Sequence, residues 1–350
     1  MKIICAFDSF KGCISAAEAC RAAAKGWLDC RPDDTVVCLP VSDGGEGMVD
    51  CVATALGVPT VQAEVHGPLM MPVAAAYALS ADGQTAYMEM AAAAGLTLVP
   101  ESQRNPMLTT TCGVGEMLLD AVQRGCRHIV MGIGGSATCD GGRGMVEALR
   151  AHLPLPADVL VASDVDNPLF GPDGAAYVFA PQKGATPQQV ELLDQRLREF
   201  AHATEQHGIA LPALAQHPGA GAAGGLGYGL MAYLGAQLQS GIDLVLDAIG
   251  FDAALRDADL VLTGEGKSDR QTLMGKVPMG VLRRAQRQGV PVAVLSGAIE
   301  DASPLAQAGF CAVQSINADD LRPLATLLQP AVAQQNMAQT ARQLAATFQK

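Results

Sequence analysis

The sequence has no dense run of lysine and arginine: 23 cations stand against 35 acids, a net charge of −12. That balance excludes an electrostatic nucleic-acid surface and an anionic-membrane binder. CxxC pairs are also missing. Ten cysteines scattered over 350 residues fit neither a secreted disulfide scaffold nor a zinc knuckle. No GxxxxGK[ST] phosphate loop, HExxH helix or GxSxG elbow occurs. No two of the six histidines stand at metal-ligand spacing. The opening MKIICAFDSFK lacks an apolar stretch of signal-peptide length, so a reducing cytoplasm is the expected compartment. The uncharged segment 218–242 is cut by many glycines and by Gln237, Gln239 and Ser240. It reads as buried helix and loop, not as a membrane span. No repeat of fixed period and no low-complexity tract appears.

What is present is apolar and regularly punctuated. Apolar residues make up 49% and charged residues 17%, a globular balance, and the length suggests about two domains. Lys2 to Phe7 reads as a buried strand. Ser15 and Glu18 form a capping box before a helix with Cys20, Ala23, Ala24 and Trp27 on its inner face. Val36 to Val41 is a second strand, followed by a glycine-rich turn and a helix through Val49, Val52 and Leu56. Strand, glycine-rich turn and helix in succession predict a parallel α/β sheet with its ligands at the carboxyl ends of the strands. The pattern changes near Pro59: Val61 to Val65, Val73 to Leu79 and Thr85 to Met90 read as an antiparallel meander. After Pro218 to Gly229 a helix is expected to about Gln239. Strands then return at Asp259 to Thr263, Pro291 to Leu295 and Cys311 to Ser315, with helices that include Asp320 to Leu328 and Val332 to Gln349. The expected fold class is α/β: residues 1–58 plus 250–350 form a discontinuous doubly wound domain, and 59–249 form a larger inserted α/β domain with antiparallel strands at its start.

The polar residues gather at predicted strand ends. Met131 to Gly142, MGIGGSATCDGG, places five glycines, a serine and Asp140 between a strand and a helix. Such a turn can aim backbone N–H groups at an anion, or need glycine for shape alone. Further clusters are Asp8, Ser9 and Lys11; Asp43 and Glu46; Asp164, Asp166 and Asn167; Gln182-Lys183-Gly184; and Thr263 to Asp269, which contains Gly264 and Glu265. One aspartate at a turn is most often a cap. Six Asp/Lys/Gly turns in one chain supply what phosphoryl transfer needs: cations and N–H groups on the phosphate, carboxylates for Mg²⁺, and a carboxylate for the attacking hydroxyl. One GxGxxG occurs, Gly219 to Gly224, but no strand precedes it. It suits a tight backbone approach better than a dinucleotide.

Taken together, these motifs resemble the type-1 glycerate kinase family. The runs that carry the resemblance are AFDSFKGCISAAEA, LPVSDGGEG, HGPL, EMAAAAGL, TTTCGVGE, GIGGSATCDGGRGM, SDVDNPLFG, PQKGA, PGAGAAGGLG, SGIDLVLD and LVLTGEGKSDRQTLMGKVP. They fall in the family's order over nearly the whole chain. Phe7, Cys139 and Ala180 stand where relatives often carry proline, Asn or Thr, and glycine. His152 to Asp158 is shorter than the glycine-containing insert typical there. The motifs on either side are intact, so activity is expected to survive.

The resemblance implies ATP- and Mg²⁺-dependent phosphorylation of D-glycerate to 2-phosphoglycerate in the cytoplasm. It also implies a flavodoxin-like discontinuous domain and an active site in a cleft between two domains. On that reading Lys11 and Lys183 neutralise phosphate or carboxylate, and Asp43, Asp140 and Asp164 are the candidate acids of the chemistry. Glu46, Asp166 and Asp269 are candidate metal ligands. Asp8, Ser9, Gly134, Gly135, Ser136, Asn167, Gly264 and Glu265 hold substrate or phosphate. Formation of 3-phosphoglycerate, or action on a related hydroxy acid, is the alternative. An NAD(P)-dependent oxidoreductase and a non-enzymatic small-anion binder are the rival classes. The expected partners are glycerate and ATP, with neither nucleic acid nor membrane, and a homodimer is left open.

Overall fold

A computed structural model describes residues 1–318 and 320–349. The chain opens with β1 (Lys2–Phe7), α1 (Ala16–Cys30), β2 (Thr35–Cys38) and α2 (Met48–Leu56). Three strands follow, β3 (Thr60–His66), β4 (Pro72–Leu79) and β5 (Thr85–Glu89), then α3 (Ala91–Ala94) and α4 (Cys112–Gln123). Next come β6 (His128–Gly132), α5 (Arg143–Leu149) and β7 (Asp158–Ala162). Helices α6 (Ala175–Phe179), α7 (Pro187–Gln206) and α8 (Ala222–Leu234) lead to β8 (Gln237–Gln239). The remainder is α9 (Gly241–Ala248), α10 (Phe251–Ala254), β9 (Leu260–Gly264), β10 (Lys267–Ser268) and α11 (Val277–Arg287). The last elements are β11 (Val292–Ser296), β12 (Ala298–Ile299), α12 (Ala302–Ala308), β13 (Ala312–Ser315), α13 (Leu324–Leu327) and α14 (Pro330–Thr347).

These elements form two compact units. The first comprises Met1–Asp43, Asp50–Gly57 and Ile242–Lys350. Its sheet has the order β13-β11-β9-β1-β2, parallel throughout. Counted within the unit that is the 2-1-3-4-5 order of a flavodoxin-like sheet. The central strands are apolar end to end, because helices cover both faces of such a sheet: Ile3 to Phe7 and all of β9 and β11 are buried. On one face α1 packs against α14. Gly26 makes this possible, since a Cβ there would stand 1.9 Å from the Ala338 carbonyl oxygen. The Trp27 ring beside it is fully buried and donates its Nε1–H to Asp34.

The second unit comprises Gly44–Val49 and Val58–Gly241. Its six-stranded sheet has the order β3-β4-β5-β6-β7-β8. The β3/β4 and β4/β5 pairs are antiparallel, and β5 through β8 run parallel. Tyr77, Met88, Met131, Val161 and Leu226 belong to one core that joins this sheet to α4, α5 and α8. A second core gathers Leu193, Leu197 and Phe200 of α7 with Ala176 and Tyr228.

Three expectations change. The helix expected to run to about Gln239 ends at Leu234, where Gly235 takes a left-handed conformation; the residues beyond it become β8, paired with β7. Instead of a helix over 320–328, α13 holds only Leu324–Leu327. Pro323 sits before it, and Asp320 is occupied by Arg322 and Asn336. The boundaries also move. Residues 44–49 join the second unit because Gly44 is wedged there: a Cβ on it would lie 2.6 Å from Ala162 Cβ and 2.8 Å from Gly241 Cα. The return to the first unit begins at Ile242, not at 250. Ile242 seats against Gly280 of α11, where a Cβ would meet its Cγ1 at 2.3 Å.

Candidate active site

In the first unit the polar residues collect at the carboxyl ends of β1 and β9, the point where the strand order reverses. Phe7 pairs with Gly264 there, so the residues that follow, Asp8 and Glu265, leave the sheet side by side. Gly264 must be glycine: a Cβ would stand 1.8 Å from the Leu295 carbonyl oxygen. The Asp8 backbone N–H donates to the Gly264 carbonyl at 2.9 Å, which pins the two turns together. A cavity of about 400 Å³ opens beside them. Asp8, Ser9, Lys11, Asp43, Glu265, Lys267, Asp269 and Lys276 line its polar part. Ile316, Leu324, Leu327 and Leu328 line its apolar part.

The electrostatics of this cavity are uneven. Burial first, and then the neighbouring Asp43 carboxylate, push the Asp8 carboxyl up from 3.8 to about 7. The Ser9 backbone N–H, 2.7 Å from Asp8 Oδ1, and Lys11 pull in the other direction without overcoming burial. Burial likewise raises Glu265. Its Oε1 accepts from Thr272 Oγ1 at 2.6 Å and from Ser268 Oγ at 3.2 Å, and Lys276 Nζ lies 3.8 Å from Oε2. The Asp269 N–H donates to Thr272 Oγ1, and the Asp269 carboxylate accepts from Gln271 N. Lys267 is exposed and pairs with Glu300 at 3.0 Å.

The glycine-rich turn after β6 lies in the second unit. Lys183, in the short turn after α6, is 3% exposed, which for an ammonium demands partners. Its Nζ donates to Ser136 Oγ at 2.6 Å and to the Thr138 carbonyl at 2.7 Å. Burial lowers its pKa to about 8. Above that anchor Gly134 and Gly135 stay exposed, and Gly135 has φ +72°. Asp140 faces the other way. Its Oδ2 accepts from Thr111 N at 2.9 Å, Thr111 Oγ1 at 2.8 Å and Gly144 N at 3.2 Å, while Oδ1 accepts from Gly142 N at 3.1 Å. It thereby caps α5 and ties the start of α4 to it. The loop after β7 carries Asp164 and Asp166, both exposed. Asp164 Oδ1 accepts from Gly241 N at 3.1 Å, and Asn167 Nδ2 donates to the Asp173 carbonyl.

Gly219 to Gly224 is a backbone contact. A Cβ on Gly221 would lie 2.2 Å from the Pro168 carbonyl oxygen, and one on Gly224 2.0 Å from that of Thr138. The loop therefore braces the turns that carry Asn167 and Asp140, which is a sufficient reason for its glycines.

The predicted residues thus fall into separate groups. Asp8, Ser9, Lys11, Asp43, Glu265 and Asp269 share the cavity of the first unit, with Gly264 behind them. Ser136 and Lys183 are bonded to each other in the second unit, beneath Gly134 and Gly135. Asp164, Asp166 and Asn167 occupy the next strand end of that unit, and Glu46 is exposed in its 44–49 segment. Of the expected metal ligands, Glu46 and Asp166 belong to the second unit and Asp269 to the first. Three residues at the cavity of the first unit were not predicted: Lys276 and Asn317 line it, and Thr272 donates to Glu265. All are polar residues near the end of the LVLTGEGKSDRQTLMGKVP run or just after a strand, and Lys276 directly before a helix-starting Val-Pro was the available signal.

The Glycerate kinase family matches residues 3–157 and 153–349. A glycerate kinase of Bacillus subtilis (strain 168) is 43% identical, covering 99% of this chain and 98% of that protein. A glycerate 2-kinase of Escherichia coli (strain K12) is 42% identical over 90% of each. The crystal structure of a protein described as glycerate kinase 2 from Salmonella typhimurium LT2 superposes with a TM-score of 0.87. It is 41% identical and covers 99% of this chain and 98% of its own.

Proposed function

The chain belongs to the glycerate kinase family, and from that premise we propose that it transfers the γ-phosphoryl group of ATP to the 2-hydroxyl of D-glycerate. The observation that carries the reading is the cavity of the first unit. There a carboxyl with a pKa of about 7, Asp8, stands among carboxylates and lysines at the switch point of a parallel sheet. A general base works best when its pKa lies near the working pH. Asp8 is therefore the group we assign to take the proton of the attacking hydroxyl. Burial is the main reason Asp8 lies in that range. Lys11 and Lys276 line the same cavity and balance the phosphate charge. The apolar residues Leu324, Leu327 and Leu328 suit the flat face of a nucleotide base.

The donor set here is carboxylate oxygen, the chemistry Mg²⁺ selects. Asp43 and Asp269 are the residues we assign to hold it, and it would supply positive charge to the transferred phosphate. In the second unit we assign the exposed backbone of Gly134 and Gly135, with Ser136 and the Lys183 ammonium beneath, to binding an anion. Asp164 and Asp166 are proposed to orient the glycerate hydroxyls. Asp140 is assigned as a positioning residue, since its carboxylate is spent on four donors. Among the described residues no helix is long and apolar enough to cross a membrane.

The test is a steady-state ATP-turnover assay with each glycerate enantiomer. The proposal expects turnover with D-glycerate that falls at least a hundredfold in Lys11→Ala and Asp8→Asn, the size of effect typical when a charge partner or a base is lost. Full turnover in both variants removes the cavity of the first unit from the mechanism.

A further inference from the structure

Outside the residues assigned to phosphoryl transfer, the second unit holds one more cluster of ligand-type side chains. His66 ends β3, Cys112 opens α4, and Glu116 lies one turn further along α4 on the same face. His66 Nδ1 is 2.7 Å from Glu116 Oε1, and Cys112 Sγ is 3.8 Å from the same oxygen. One donor atom from each residue lies within 4.8 Å of the other two, and among the described residues this is the group of three His, Cys, Asp or Glu side chains so placed.

The backbone is arranged for this approach. Gly113 sits between Cys112 and the strand end, and a Cβ on it would be 1.8 Å from the His66 carbonyl oxygen. Only glycine lets β3 end against the first turn of α4. The His66 backbone N–H also donates to Glu116 Oε2 at 2.6 Å, which fixes the carboxylate and leaves Oε1 turned toward the imidazole and the thiol. His66 and Glu116 keep side-chain exposures of 44% and 30%, so an ion can enter and water can complete its shell.

We infer that His66, Cys112 and Glu116 form a divalent transition-metal site, with Zn²⁺ as the fitting ion. A thiolate, an imidazole and a carboxylate are the donor types Zn²⁺ takes, at about 2.0 to 2.3 Å, with a water in the fourth tetrahedral position. Mg²⁺ prefers an all-oxygen shell and is a poor match. Binding replaces protons: the Cys112 thiol loses its hydrogen and the imidazole binds as the neutral ring, so the ion displaces protons to solvent. Burial, and after it the Glu116 carboxylate, raise the Cys112 thiol above its ordinary range. The site borders Thr111, which donates to Asp140, so an occupied site braces the start of α4.

Full-length protein stripped with a chelator is titrated with Zn²⁺ and with Co²⁺ alone, in the absence of nucleotide. The expected result is one ion per chain by equilibrium dialysis and a higher melting temperature. Co²⁺ should also give a near-ultraviolet thiolate-to-cobalt absorption band. Cys112→Ser should abolish that band, and His66→Ala should weaken binding at least tenfold. A readout on the unaltered chain guards against a variant that fails to fold: Zn²⁺ should protect Cys112, among the ten cysteines, from alkylation followed by peptide mass spectrometry. Absence of a cobalt–thiolate band, or alkylation of Cys112 at the same rate with and without Zn²⁺, overturns the site.

Discussion

Lys183 Nζ donates to Ser136 Oγ at 2.6 Å and to the Thr138 carbonyl at 2.7 Å, within a setting that leaves the lysine 3% exposed. A buried ammonium is expensive unless its donors are satisfied. Here it fastens the turn after β6 from below. Lys183→Met should therefore leave two acceptors without their donor and cost about 1 to 3 kcal/mol, read as a lower urea midpoint. Turnover should fall further than the stability loss explains. A variant with wild-type turnover would confine Lys183 to a structural role.

Asp8 gives a pH signature with a definite sign. Its folded pKa of about 7 lies above the ordinary 3.8, so between these values the folded chain binds more protons than the unfolded one. Stability then falls as pH rises through that window. Asp8→Asn should melt higher than wild type at pH 8 and about equally at pH 4. In catalysis the sign reverses, because the base must be ionised: wild-type turnover should drop as pH falls below about 7. Asp8→Asn should lose that limb along with most of its rate. Equal melting of the two proteins at pH 8 would contradict the raised pKa.

Asp140 separates positioning from chemistry. With four donors on its carboxylate, Asp140→Ala should cost about 3 kcal/mol and loosen the junction of α4 and α5. Hydrogen exchange should rise at the start of both helices. An Asp140→Ala protein of full stability and no turnover would restore Asp140 as a reacting group.

Gly224 tests the loop read as a backbone brace. It has φ +70°, and a Cβ would meet the Thr138 carbonyl oxygen at 2.0 Å. Gly224→Ala should lose at least about 2 kcal/mol. A neutral effect on the urea midpoint would show that the loop does not bear on the Thr138 turn.

Much of the fold was legible because its signals are local. The unbroken apolar run of β1, the Ser15 and Glu18 capping box, and the alternation of strand, glycine turn and helix gave the doubly wound first unit. Turn chemistry at Gly235 and Pro323 shortened two stretches read as helix: the left-handed Gly235 ends α8, and Pro323, with extended ψ, delays the start of α13. Site residues at strand ends were legible as clusters, but not their division of labour. Asp140 and Asp8 both read as aspartates in motif turns. Only three dimensions show one carboxylate saturated by Thr111, Gly142 and Gly144, and the other desolvated beside Asp43. The His66, Cys112 and Glu116 group was invisible for a similar reason: β3 and α4 are far apart in sequence and meet through the glycine at 113.

The central claim is phosphoryl transfer to glycerate, and phosphorus NMR of the reaction products tests it most directly. With ATP, Mg²⁺ and D-glycerate the account predicts loss of the γ-phosphate resonance and growth of a 2-phosphoglycerate signal, with little product from L-glycerate. Growth of 3-phosphoglycerate alone would contradict the assigned position. No phosphoglycerate from either enantiomer would contradict the claim itself.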